Sequence, residues 1–125
     1  MLGESDAAAT IAVKDIAVSR EFYEGKLGLK PVSTDQPGVI TYTSGSSRIL
    51  VYESRYAGTN QATAATWMAG DDVGLIVRSL REKGVAFEHY DLPNTTRDGD
   101  VHVFGDLRVA WFKDPDGNIL SLVSG

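Results

Sequence analysis

The sequence predicts an α+β fold in which two βαβββ repeats form a curved, cup-shaped mixed sheet with the helices on its convex face. Three observations predict it. The segments "VKDI…LGLKPV" and "GDDV…KGVAFE" superpose strand, acidic cap, helix and stop glycine at an offset of about 57 residues, close to half of the 125-residue chain. After each helix-like segment come short β-rich runs punctuated by Gly, Pro, Asp and Ser. The chain then closes on "AWFKDPDGNILSLVSG", where proline presets φ, aspartate suits a turn and glycine takes the positive φ that closes a hairpin.

The elements follow in order. Residues 8–14 read as the first strand. Asp15 stands at a helix N-cap, Val18 and Phe22 lie four apart on one face, and Gly28 suits a left-handed stop. Three strands, "KPVST", "GVITYTS" and "SRILVYES", are separated by turns at "DQPG" and "SGSS". In the second half "ATAATWMAG" is a strand. "DDVGLIVRSLREKG" is a helix capped by Asp72, with Val73, Ile76, Val77 and Leu80 as its apolar stripe and Gly84 as its stop. "VAFEHY" is a further strand, and the polar stretch 91–106 reads either as a lid over the cup or as a long surface loop. Only "YAGTNQ" separates the halves. One domain over 1–125 is therefore expected, with repeat one at about 8–56 and repeat two at about 62–124.

Composition narrows the function classes. No apolar run is long enough to span a membrane, and "MLGESDAAAT" lacks the basic and apolar regions of a secretory signal, so a cytoplasmic protein is expected. With no cysteine there are no disulfides, thiolate metal sites or thiol nucleophiles. The net charge of −5 and the scatter of the 12 basic residues oppose nucleic-acid binding.

The motifs carry a resemblance. "VKDIAVSREFYEGKLGL" resembles the first helix segment of the vicinal oxygen chelate superfamily, and "FKDPDGNILSL" resembles its closing hairpin. That superfamily includes glyoxalase I, extradiol dioxygenases, fosfomycin resistance enzymes and bleomycin-binding resistance proteins. The resemblance implies metal ligands on the inner face of the cup, at positions that fall here on Ala8, Val51, Ala65 and Ser121. A divalent ion wants carboxylate, imidazole or thiolate donors, and none stands there. No metal and no cofactor are therefore expected, and with them no glyoxalase, dioxygenase or fosfomycin-type chemistry. The resemblance also implies a homodimer.

With those corners empty, period-two alternation puts Thr10 on the inner face of the first strand, Ala65 and Trp67 on that of the fifth, and Ser121 on the last. Trp67 would be an aromatic wall, and Tyr42, Val51, His102 and Trp111 complete the expected ligand-binding set. For the aromatics, packing between sheet and helices is the alternative. Two function classes stand. The first is a metal-independent small-molecule binding protein of the glyoxalase/bleomycin resistance type, holding an apolar or aromatic ligand for a role such as drug sequestration. The second is a metal-free isomerase or lyase in which a rim acid or base such as His102, near Asp100, moves a proton.

Overall fold

A computed structural model describes residues 1–33 and 36–125. In β1 (Ala9–Val13) Ile11 and Val13 are buried and Thr10 is exposed, the alternation of a strand covered on one face. Asp15 accepts a hydrogen bond from the Ala17 N–H at 2.9 Å and caps α1 (Ile16–Arg20). The helix then widens into a π turn over Glu21–Lys26, and Gly28 follows at φ 76°. Phe22 and Tyr23 are both buried there, whereas Val18, expected to share a face with Phe22, is exposed. Residues four apart share a face only while the 3.6-residue turn persists.

β2 (Lys30–Ser33), β3 (Val39–Ser44) and β4 (Ser47–Glu53) complete a first sheet in the order β1-β4-β3-β2, with β1 parallel to β4. Thr34, expected to end the second strand, and Asp35, expected to open the turn after it, lie outside the described residues.

The second half repeats the plan with β5 (Thr63–Met68), α2 (Val73–Glu82), β6 (Phe87–Glu88), β9 (Leu107–Lys113) and β10 (Ile119–Val123). Its order is β5-β10-β9, and β6 lies on the other edge of β9. Two strands are extra. β7 (Thr96–Asp98) and β8 (Val101–Phe104) form a hairpin through Gly99-Asp100, and β8 pairs with the first part of β9. The stretch 91–106 is therefore neither a lid nor a plain loop but holds a hairpin that extends the sheet. Asp72 makes no side-chain cap bond. A 3-10 turn over Gly70–Asp72, with Gly70 at φ 57°, feeds α2 instead.

Both helices cover the same side. Phe22 and Tyr23 of the π turn and Val73, Val77 and Leu80 of α2 join one apolar cluster with Ile11, Val13, Ile40, Val51, Phe112, Leu120 and Leu122. The two sheets meet where β1 lies beside β5. The closing turn fastens that junction. Asp114 Oδ1 accepts the N–H groups of Asp116 and Asn118, each at 2.9 Å. Its Oδ2 accepts the Tyr23 hydroxyl at 2.7 Å and the Asn118 amide at 2.8 Å. The same amide donates to the Ala12 carbonyl of β1 at 2.7 Å. Burial, reinforced by the charge and hydrogen bond of Asp114, pushes the Tyr23 phenol pKa far up, so it stays a donor. Gly58 crosses the turn so closely, at φ 74°, that a Cβ there would collide with the Asp116 carbonyl.

Candidate functional site

With both helices on one side, the opposite face of the sheets carries no helix; it is exposed at Thr10, Thr66 and Met68 and buried at Ser121, Val109 and His102. Strand pairing decides which side chains it carries. In the first sheet Thr10 pairs with Leu50 and Leu50 with Thr41, so these three share the helix-free face, while the buried pair Ile11–Val51 faces the helices. In the second sheet Thr66, Ser121 and Trp111 lie in one row, and Val109, next along on the same face as Trp111, pairs with His102.

Of the eight expected ligand-binding residues, Thr10, Ser121, Trp111 and His102 therefore lie on the helix-free side. Tyr42, Val51, Ala65 and Trp67 do not; all four belong to the apolar cluster under the helices or pack against it. The Tyr42 ring stacks on Tyr23 at 6.2 Å, and its hydroxyl donates to Glu24 Oε2 at 2.8 Å. The Trp67 indole N–H donates to Ser44 Oγ at 2.9 Å, and its ring stacks on Phe112. An odd offset explains Ala65 and Trp67. About 57 residues align the helices, but the extra turn at Gly70 shifts the strand before them, so a residue matched at that offset has the opposite facing. The fifth-strand residues turned to the open face are Thr66 and Met68, and on β4 they are Leu50 and Tyr52 in place of Val51.

The open face offers Ala8, Leu50, Thr66 and Ser121: a methyl, an isobutyl and two hydroxyls. Thr66 and Ser121 share a hydrogen bond at 2.7 Å, which uses their polarity on each other. Among the described residues no group of three or more His, Asp or Glu could hold an ion. The residues present do not fit a divalent metal.

What the face offers is a trough of about 530 Å³ above the first sheet, lined by Asp6, Ala7, Ala8, Thr41, Arg48 and Leu50 among others. Arg48 is its cation and Asp6 its anion. Across the β1–β5 junction stands an aromatic patch. Tyr90 meets the Trp111 ring edge-on at 5.2 Å, and His102 does so at 4.8 Å.

His102 is not the rim base the sequence suggests. It is fully buried on β8, and its Nε2 accepts the Tyr90 N–H at 2.9 Å. Its Nδ1 is buried with no hydrogen-bond partner. Burial pulls its pKa down, against an opposing pull from the Val109 backbone. Asp100, expected to tune it, instead pairs with His89 at 2.7 Å and with Arg81 at 3.4 Å.

The sequence model of the Glyoxalase/Bleomycin resistance protein/Dioxygenase superfamily matches residues 7–122. The chain belongs to this superfamily. No curated protein matches it in sequence. Solved superfamily-like structures do match in shape. FosX, a fosfomycin resistance protein from Listeria monocytogenes, superposes with a TM-score of 0.73 at 14% identity, over 98% of this chain and 93% of that one. An integron cassette protein from the mobile metagenome of the Halifax Harbour sewage outfall gives a TM-score of 0.72 at 15% identity, over 98% and 99%. A mutant of the Listeria protein, with a TM-score of 0.69 at 15% identity over 98% and 90%, is complexed with Mn(II) and 1S,2S-dihydroxypropylphosphonic acid. At such identities these likenesses show the shared superfamily fold. Among the described residues no helix is long and apolar enough to cross a membrane.

Leu50, Thr66 and Tyr90 escape the sequence reading. Strand pairing would have found the first two, because parity is set by the partner strand rather than by the helix alignment. Tyr90 gave no local signal beyond a strand-end aromatic.

Proposed function

We propose that this superfamily member is a metal-independent small-molecule binding protein. It holds an apolar or aromatic ligand on the helix-free face and acts by sequestration, as bleomycin-type members do. One observation carries this reading: the open face combines a trough and an aromatic patch with methyl and hydroxyl groups where an ion would need donors. Leu50 with Thr10 and Thr41 supplies a floor of mixed apolar and hydroxyl character, Trp111 and Tyr90 an aromatic wall, and Arg48 an anchor for one polar group. The isomerase or lyase alternative loses its named base, since the accepting lone pair of His102 is engaged and its ring is buried. We read the whole of 1–125 as one cytoplasmic domain that pairs with a second copy.

Bleomycin and a set of planar aromatic compounds, followed by thermal shift and tryptophan fluorescence, test the reading. Saturable binding that EDTA leaves unchanged is expected. Trp111→Ala should weaken it about tenfold, as loss of a wall aromatic does. Binding that appears only when Mn(II) is added would overturn it.

A further inference from the structure

We propose a second binding site on the opposite side of the sheets, in the cleft between the π turn and α2, for a small monoanion with an apolar body such as a medium-chain carboxylate. The cleft encloses about 280 Å³. Phe112, Leu80 and Leu122 form its buried floor, while Leu27, Trp67 and Ile76 are half-buried walls. At roughly 30 Å³ per water-sized group the volume suits about nine heavy atoms.

The walls are prearranged. Trp67 has satisfied its only polar atom by donating to Ser44 Oγ, so the ring presents apolar surface to the cleft and is held by its stacking on Phe112. An apolar guest therefore buries carbon mostly against carbon, with the exposed Ser79 and the two lysines the polar side chains of the lining.

The mouth is cationic. Lys26, from the end of the π turn, and Lys83, from the end of α2, converge on it from different elements. Lys83 Nζ donates to the Lys26 carbonyl at 3.4 Å, a long bond that uses one of three ammonium hydrogens. That contact answers a helix-end carbonyl, the usual duty of such a lysine. Lys26 Nζ has no such duty among the described residues. It lies 3.9 Å from where a Cβ on Gly84 would be, at the point where α2 stops. Among the described residues neither ammonium has a carboxylate within 4.0 Å, whereas Arg20, Arg81, Arg108 and Lys113 each have one. Two cations above an apolar pit select an anionic head on an apolar tail.

The chain has two tryptophans, so Trp111→Phe leaves Trp67 as sole reporter inside the cleft. Titration of that variant with octanoate should give a saturable change in emission. Octanol should bind about fivefold more weakly, and octylamine not measurably. Lys26→Glu and Lys83→Glu should each weaken octanoate about fivefold and leave octanol unchanged. Thermal stabilisation of the unsubstituted protein by octanoate provides a second readout if Trp111→Phe folds poorly. The site is overturned if octanoate gives no saturable response in either measurement, if octanol or octylamine matches it, or if the lysine reversals change nothing. Those failures leave the helix-free face untouched, because none of the cleft residues lies on it.

Discussion

His102 accepts the Tyr90 N–H at Nε2, so the neutral ring must carry its proton on Nδ1, the buried atom without a partner. A second proton would have to go on Nε2, which already faces the Tyr90 N–H, and would put a charge in a buried place. Burial, together with the charges of His89 and Arg97, therefore holds the pKa below the ordinary 6.5, and the Val109 backbone opposes them only in part. The unfolded chain takes up that proton at higher pH than the folded one, so the linked stability is intact above about 6.5 and is lost as pH falls below it. The slope is at most about 1.4 kcal/mol per pH unit. Urea midpoints should fall between pH 7 and 5, and His102→Gln, which keeps an acceptor for Tyr90, should flatten that decline. Glu24 acts lower on the scale. Burial pushes its pKa up, but the bonds from Arg20 and Tyr42 outweigh this and hold it below 4.5. Its contribution is thus retained through the His102 window and lost only in stronger acid.

Among the elements, the "DPDGN" turn does more than reverse the chain. Asn118 donates to both Asp114 and Ala12, so Asn118→Ala removes two hydrogen bonds and leaves the Ala12 carbonyl without that partner. The expected loss is about 2–3 kcal/mol in chemical denaturation, with the helix-free face unaltered once the protein is folded. The turn type was readable because proline and glycine dictate backbone angles locally. What it fastens was not, since Tyr23 and Ala12 are roughly a hundred residues away in sequence. The same divide runs through the other elements. The cap at Asp15 and the apolar stripe of α2 are local and were legible. The π turn, which brings Phe22 and Tyr23 inward together, has no composition of its own. The β7–β8 hairpin hid inside a polar stretch, although "VHVF" alternates and a glycine sits at its turn.

For the whole molecule, the repeat was visible because helix signals recur at a fixed spacing, and this was enough for the superfamily fold. The candidate site was only half visible. Facing changes with every inserted residue, and the turn at Gly70–Asp72 leaves Ala65 and Trp67 under the helices and Thr66 on the opposite face. Met68 and Tyr52 stand exposed on the helix-free face, where a second copy would cover them and deepen the open trough. A mass in solution of twice the 13.5 kDa chain is expected at micromolar concentration. Met68→Lys should return it to the single-chain mass, whereas a single-chain mass for the unsubstituted protein would count against pairing.

The phenol of Tyr23 belongs to the first half and the carboxylate that receives it to the second. Severed at "YAGTNQ", the leading fragment would keep a buried hydroxyl with nowhere to donate, and the trailing one an aspartate and an amide short of their strand. The halves are alike in plan, yet each holds a polar group whose partner the other supplies.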